Sequence, residues 1–233
     1  MDEAIIDFKN VCFRWKYSGS MLLDIPEFRM KQHEHVFLQG PSGSGKSTLL
    51  ALVGGILVSE SGSLKVLGQE LRNLSRSSRD AFRVDHIGFI FQLFNLLPYL
   101  SIEENVMLPL SFSSIRARRA GRTKLDRLNE ARRLLKALAL EEQQAEKSPV
   151  IELSVGQQQR VAAARALIGS PELIIADEPT SALDADLRHS FLELLFGECK
   201  KAGSTLLFVS HDSTLSEFFN SKASMDELNN IRN

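Results

Sequence analysis

The sequence predicts an α/β fold with a mainly parallel β-sheet, and three observations support this prediction. Short apolar segments rich in β-branched and aromatic residues alternate along the chain with segments of helical periodicity. A glycine-rich loop directly follows one apolar segment and directly precedes a helical one. The 233 residues, 43% hydrophobic and 24% charged, can bury a large core, and this composition excludes collagenous, coiled-coil and disordered proteins.

The strands of this fold are expected in five segments, residues 5–15, 36–39, 86–91, 173–176 and 205–210. We expect an antiparallel β part near the N-terminus and a mainly parallel sheet after it. A helical segment begins after the glycine-rich loop, and a later helix with an apolar stripe from Leu187 to Leu195 ends near Gly203.

The middle of the chain predicts a helical subdomain inserted into this core. Leucines recur at helical spacing from Leu125 to Leu138, and no strand-like segment appears between about residues 113 and 150. We therefore expect a single domain, residues 1–233, with a core of residues 1–92 and 165–233 and a helical subdomain of about residues 93–164.

Charge, cysteine content and hydropathy exclude several classes of protein. With 28 basic and 29 acidic residues the net charge is −1. This charge balance excludes a protein whose whole surface binds nucleic acid. Cys12 and Cys199 have no C-x-x-C partner, which argues against a disulfide framework or a zinc site. The first ten residues do not resemble a signal peptide, and the longest apolar stretch, residues 49–58, is too short for a membrane span. We expect a cytoplasmic protein that reaches a membrane only through a partner.

A phosphate-binding loop is predicted at GPSGSGKS, which fits the pattern GxxxxGK[ST] between a strand and a helix. Its glycines let backbone N–H groups turn toward phosphate oxygens, Lys46 reaches the β and γ phosphates, and the Ser47 hydroxyl can ligate Mg²⁺. A ligand-free Gly/Ser turn fits the context much less well. The nucleotide-binding residues expected here are Gly40, Pro41, Ser42, Gly43, Ser44, Gly45, Lys46, Ser47 and Thr48.

Two adjacent carboxylates end the strand LIIAD, where an open α/β sheet usually carries its ligand site. Side chains alternate along a strand, so Asp177 and Glu178 point in different directions unless the chain turns before Pro179. We assign Asp177 to the Mg²⁺ shell and Glu178 to the attacking water, which it orients or deprotonates. The alternative, a solvated strand end, is weaker in a chain with a phosphate loop.

The segment LSVGQ, residues 153–157, narrows the class of enzyme. Ser154 and Gln157 form an S-x-x-Q capping box that opens a helix, which is an ordinary structural motif and also an anion site. Its place 20 residues before Leu173 makes the chain resemble the ABC-type ATPases. That resemblance implies that Ser154, Gly156 and Gln157 of one subunit close over the γ-phosphate held by the P-loop of another.

Other single residues fall where the ABC family has its motifs, over roughly residues 5–212. The resemblance implies that Gln92 after GFIF is the Q-loop glutamine near Mg²⁺ and that Asp184 in SALD is the D-loop aspartate. It implies that His211 in FVSHD is the switch histidine at the γ-phosphate and that Trp15 stacks on adenine. The implied ligands are ATP and Mg²⁺, bound by a homodimer.

The chain departs from the family pattern LSGGQ at Val155, where the family has its first glycine. A β-branched residue at positive φ is a rare outlier. Because the capping box makes Val155 the first helical residue, we expect a negative φ there, with the close phosphate approach left to Gly156.

The segment IGFIFQLFNLLPYLSIEENVMLPL resembles ATPases of lipoprotein-release and macrolide-export systems. This resemblance implies a cassette on the inner face of the cell membrane that powers a permease exporting or extracting a lipophilic substrate, with no nucleic acid as partner. Phe94, Leu96, Leu97, Pro98 and Tyr99 supply an apolar patch for the permease, or in part a core of the subdomain. Two alternatives are a soluble ABC ATPase without a transport role and an ATP-gated dimeric clamp.

The segment of residues 115–136 is strongly basic. Between residues 115 and 136 there are nine basic residues against two acidic ones, a local balance of +7. It suits either anionic lipid headgroups or, as we favour, an ordinary helix face.

Overall fold

The computed structural model describes residues 4–16, 19–140 and 149–231, without the side chain of Ala185. The strands are β1 (Ala4–Arg14), β2 (Met21–Lys31), β3 (His35–Gln39), β4 (Ser61–Val66), β5 (Gln69–Glu70), β6 (Ile87–Ile90), β7 (Leu173–Asp177), β8 (Thr205–Val209) and β9 (Ser221–Ser224). The α-helices are α1 (Lys46–Val53), α2 (Arg76–His86), α3 (Ile102–Met107), α4 (Ser114–Ala120), α5 (Lys124–Ala137), α6 (Val155–Leu167), α7 (Ala185–Ala202) and α8 (Met225–Leu228).

The chain forms two compact units. The first contains Met1–Arg83 and Thr205–Asn233, and the second contains Val84–Ser204. The helices α3, α4 and α5 all lie inside the segment predicted to be the helical subdomain. The finer boundaries at residues 92 and 165 stay a prediction.

The first unit combines an antiparallel sheet with a parallel one. Its antiparallel sheet has the order β2-β1-β4-β5, in which Phe8 of β1 lies opposite Phe28 on one side and Leu64 on the other. All three side chains are buried. In the parallel part β3 lies between β8 and β9, with Leu38 in register with Val209 and Ala223. This confirms the predicted α/β fold with an N-terminal antiparallel part.

The second unit pairs β6 with β7 in parallel and packs helices around them, above all α6. The approach of α6 to β6 is very close, because a Cβ atom at Gly88 would lie 2.2 Å from the carbonyl oxygen of Ala166. The helix itself is rich in small buried residues, Ala162, Ala163 and Ala164 among them. Small side chains on both elements therefore set this distance.

The basic stretch is largely used inside the second unit. Buried Arg116 donates to the carbonyls of Ile168 (2.5 and 2.8 Å) and Ala166 (2.8 Å), so it caps the end of α6. Burial lowers the pKa of Arg116 to about 10. Four other arginines of the stretch also have partners in this unit, Arg119 with Glu172, Arg127 with the carbonyls of Ala117 and Gly121, Arg132 with Glu103, and Arg133 with Glu130 and Glu198. This distribution favours the structural interpretation over a lipid-binding face.

Candidate nucleotide site

The phosphate loop in the first unit has the backbone that its glycines were expected to provide. Gly43 has φ +81° and Gly45 has φ +97°, a left-handed conformation that side-chain-bearing residues rarely adopt. Gly45 is the N-cap of α1, and no side chain of the described residues caps this helix. A helix N-terminus without a side-chain cap suits an anion such as phosphate.

Lys46 closes the loop from inside. Its Nζ atom donates to the carbonyl oxygens of Gly40 at 2.7 Å and Pro41 at 2.9 Å, so the ammonium group lies within the curve of the loop. The loop is also closely supported from behind, because a Cβ atom at Gly40 would lie 2.8 Å from the Cβ atom of Met225. The charge predicted to face phosphates is therefore held by the loop that would bind them.

His211 and Trp15 belong to the same unit as this loop. The backbone N–H of Ser210 donates to the carbonyl of Leu38 at 3.2 Å, so His211 leaves β8 beside the point where the phosphate loop begins. Trp15 follows β1, is 48% exposed, and packs edge-to-face on Phe13 with ring centroids 5.2 Å apart. Its indole is accessible for stacking on a planar ligand.

In the second unit Gln92 comes shortly after β6, and Asp177 is the last residue of the adjacent strand β7. Ile90 of β6 is in register with Ala176 of β7, so both residues lie at the carboxyl ends of neighbouring parallel strands. The chain turns sharply after β7, because Glu178 has φ +48°. Glu178 is also almost fully buried. Left-handed backbone at a residue other than glycine costs about 1–3 kcal/mol and is most often found at functional sites.

The donor atoms predicted for a metal fit Mg²⁺. Ser47 offers a hydroxyl, Gln92 an amide oxygen and Asp177 a carboxylate, which are the hard oxygen ligands that Mg²⁺ prefers. Within residues 4–16, 19–140 and 149–231, no group of three or more His, Cys, Asp or Glu residues forms an all-protein metal cage. This donor set accords with a metal that is bound together with a nucleotide.

The signature segment forms the predicted capping box. The N–H of Gln157 donates to Ser154 Oγ (3.3 Å), and Gln157 Oε1 accepts from the N–H of Ser154 (2.9 Å). Val155 is the first residue of α6 and is not among the residues with positive φ, which confirms the expectation for it. Gly156 also has no positive φ, and a Cβ atom there would meet Leu183 Cδ2 at an ordinary 3.6 Å.

Asp184 lies beside this segment and already has a structural task. Its Oδ1 atom accepts from the N–H of Leu187 at 3.0 Å and caps α7. A Cβ atom at Gly156 would lie 3.6 Å from Cδ2 of Leu183, the residue before Asp184. The predicted D-loop and the signature segment are therefore neighbours within the second unit.

Three comparisons identify the family. A sequence profile of the ABC transporter family matches residues 23–181. The chain belongs to this family. The uncharacterised ABC transporter ATP-binding protein YbbA of Escherichia coli is 41% identical over 189 residues, 81% of this chain and 79% of YbbA.

A solved structure and a second relative extend the comparison of this ABC cassette. The dimeric structure of the cassette MJ0796, from Methanocaldococcus jannaschii, bound to ADP and Pi in a post-hydrolysis state, has a TM-score of 0.83 and 36% identity, and the match covers 94% of this chain and 93% of that one. The macrolide export ATP-binding/permease protein MacB of Mannheimia succiniciproducens is 41% identical over 186 residues, 80% of this chain and 27% of MacB. The protein is an ABC-type ATPase that binds adenine nucleotide.

The predicted apolar patch of this ABC cassette needs one correction. Phe94 is buried, with 7% of its surface exposed, so it is not part of a docking surface. It has φ +58°, so its backbone is left-handed. Leu93 and Tyr99, in contrast, are 83% and 78% exposed. Leu96 and Leu97 are half-buried.

Two polar residues that hold this loop were not found from the cassette's sequence. Asn105 is fully buried and fixes the loop by accepting from the N–H of Leu97 (2.8 Å) and donating to its carbonyl (3.0 Å). Arg165 of α6 donates to the carbonyls of Phe94 and Asn95. The partners of Arg165 lie 70 and 71 residues away along the chain, and a polar residue inside a helical segment gives no sign of such a partner.

Proposed function

We propose that this ABC ATPase works as a homodimer in which two ATP molecules are enclosed between the phosphate loop of one copy and the signature segment of the other. Lys46 would contact the β and γ phosphates, and Trp15 would stack on the adenine. Ser154, Gly156 and Gln157 of the second copy would close over the γ-phosphate, next to Asp184.

Gly156 is the observation that carries this proposal. Its backbone is not left-handed, and the space around it would accept a methyl group without a clash, so the fold of this chain does not require glycine there. A glycine that the chain's own fold does not need suits close approach by a group from outside. The γ-phosphate bound by a second copy is such a group.

The chemistry assigned to the site is metal-assisted hydrolysis. Ser47, Gln92 and Asp177 are the residues that would hold Mg²⁺, which supplies charge neutralisation at the β and γ phosphates. Glu178 would orient or deprotonate the attacking water, and His211 would contact the γ-phosphate.

The substitution Glu178→Gln tests the dimer. It removes the proposed base but keeps the shape of the side chain, so ATP should still bind while hydrolysis falls at least about 100-fold, which corresponds to about 2.7 kcal/mol. ATP should then hold the variant as a dimer, because ATP stabilises whichever state binds it more tightly. Light scattering during gel filtration with Mg²⁺ and ATP measures this directly.

Glu217→Gln is the matched control, because Glu217 is exposed and outside the proposed site. It should hydrolyse ATP like the wild type and elute as a monomer when the ATP is exhausted. A Glu178→Gln protein that stays monomeric with ATP would refute the enclosed dimer.

We extend the proposal to a permease partner at the inner face of the cell membrane, which exports or extracts a lipophilic substrate. No helix in the described residues is both long and apolar enough to cross a bilayer. Leu93 and Tyr99, one and seven residues after Gln92, expose apolar surface. This position suits contact with a membrane protein that responds to the state of the nucleotide site. The likeness to MacB, named as an export ATP-binding/permease protein, supports the same partner class.

Tyr99→Glu tests this partner. It should reduce recovery of the chain with detergent-extracted membranes at least about fivefold, because a charge replaces an apolar contact. Its ATP affinity should stay within about twofold of the wild type. Equal recovery of variant and wild type would favour the ATP-gated clamp or the soluble ABC ATPase. The rate of steady-state ATP hydrolysis without membranes would then distinguish these two, because the clamp is expected to hydrolyse ATP slowly.

A further inference from the structure

The turn that follows Gln92 has an unfavourable backbone. Phe94 has φ +58° and Asn95 has φ +50°, so two consecutive residues other than glycine are left-handed. Asparagine tolerates this conformation, but a bulky aromatic residue rarely adopts it. Such a turn persists only where its surroundings hold it in place.

Arg165 supplies this restraint from another part of the chain. Its Nη1 atom donates to the carbonyl of Asn95 at 2.7 Å, and its Nη2 atom donates to the carbonyl of Phe94. The planar guanidinium thus binds both carbonyls of the left-handed pair at once. Burial of the side chain lowers the pKa of Arg165, but the group remains charged at neutral pH, which strengthens both hydrogen bonds.

The other end of the same loop is attached to a different helix. Asn105 of α3 binds both backbone groups of Leu97 and also donates to the carbonyls of Leu100 (3.2 Å) and Ser101 (3.0 Å). Residues 97–101 therefore follow α3, whereas the turn at residues 94–95 is tied to α6.

Arg165 and the signature segment belong to one helix. Ser154 is the N-cap of α6, eleven residues before Arg165, which is about 16 Å along the helix axis. Because a helix moves nearly as a rigid rod over this length, a shift of the turn is carried to Ser154 and Gly156.

We propose that Arg165 is a positioning residue that couples the turn after Gln92 to the signature segment, by gripping the left-handed pair Phe94–Asn95 from α6. It binds backbone carbonyls and is not one of the residues assigned to the nucleotide or the metal. The inference rests on the proposed function, since it assumes that Gln92 and Ser154 act at the two ends of this link.

Arg165→Lys is the test, because lysine keeps the charge but cannot bind two carbonyls with a planar fork. We expect kcat for ATP to fall at least about tenfold, while the dissociation constant for ATP stays within about twofold. Hydrogen exchange should be at least about fivefold faster in the backbone of residues 93–96, where the turn loses its restraint.

Arg127→Lys is the matched control. Arg127 also donates to two backbone carbonyls, those of Ala117 in α4 and of Gly121 at the end of this helix, both at 3.1 Å, but this segment carries no proposed site residue. Its substitution should leave kcat within about twofold of the wild type and should change exchange only near residues 117–127. An equal loss of kcat in both variants would mean that general destabilisation is responsible and would overturn the proposal.

A second change should partly rescue the first. Asn95 is exposed and has a left-handed backbone. Asn95→Gly lowers the free-energy cost of this conformation, so the turn needs less restraint from Arg165. In the Arg165→Lys background it should raise kcat at least about threefold, and no recovery would count against the proposal.

Different results would contradict the positioning role of Arg165 and the proposed function. If the wild type hydrolyses ATP and Ser154→Ala slows it, but Arg165→Lys keeps full kcat, the positioning role is wrong and the proposed function stands. If Ser154→Ala and Glu178→Gln both hydrolyse ATP like the wild type, the proposed function fails. Exchange at residues 93–96 would then still report whether Arg165 restrains the turn.

Discussion

The N-termini of α1 and α6 are both predicted to meet the γ-phosphate, yet they are built differently. Helix α1 begins at Gly45 in a left-handed conformation, with no side-chain cap from the described residues. Helix α6 begins at Ser154, and its side chain and that of Gln157 satisfy each other's backbone N–H groups.

The phosphate loop is therefore a binding site that is already formed, whereas the signature segment at α6 is a site that still has to be completed. The glycines of the phosphate loop are required by the backbone of the chain itself, so the loop exists before any ligand arrives. In α6 the capping box already provides hydrogen bonds for backbone N–H groups at the start of the helix. The backbone conformation at Gly156 does not require glycine. The second site therefore keeps its own hydrogen bonds until a ligand replaces them.

Gly45→Ala should have the largest effect on this comparison. The substitution forces a Cβ atom into a backbone with φ +97° and to within 2.6 Å of Leu23 Cδ2. We expect ATP binding to weaken at least about 100-fold, or about 2.7 kcal/mol, because the loop must change shape. Isothermal titration of the monomer with ATP measures this, and an unchanged affinity would contradict a preformed loop.

Gly156→Ala makes the same chemical change in the other helix end and should act on a different step. Thermal stability and ATP affinity of the monomer should match the wild type, since the new methyl group has ordinary space. Hydrolysis at saturating ATP should fall at least about tenfold, because the methyl group lies where the partner's phosphate must approach. Loss of ATP affinity instead would mean that the two glycines have one common role.

Val155→Gly should have the smallest effect. Val155 has a helical φ and is half-exposed, so replacing it with the family's glycine removes no strain. Hydrolysis should change by less than about tenfold, or 1.4 kcal/mol, in a steady-state assay. A hundredfold gain in turnover would show that valine slows the enzyme and would support the clamp alternative.

Apolar strands were predictable from the sequence, and polar strands were not. The predicted segments at β3, β6, β7 and β8 agree with the structure within two residues, because these strands are apolar runs between helices. The strands β2, β4, β5 and β9 were not predicted. β2 contains Pro26 and several charges, and β9 is the polar segment SKAS, so their pairing depends on neighbours that the local sequence does not specify.

Local signals also explain which site features were predictable. The capping box at Ser154 depends on residues three positions apart, and the structure has it as expected. The buried Phe94 lies in a left-handed turn bound by Arg165, 71 residues away, whereas the sequence alone predicts an apolar patch for a permease or in part a core of the subdomain. Contacts between distant segments leave no periodic pattern in the sequence.

Trp15 gives the unmodified protein a built-in optical probe. It is the single tryptophan of the chain, half-exposed and packed on the edge of Phe13, so the entire indole emission comes from one position. A purine that stacks on this ring would quench that emission and shift its wavelength. Titrations with ATP, GTP and inorganic triphosphate can therefore be compared without a label. The comparison separates the contribution of the base to binding from that of the phosphates.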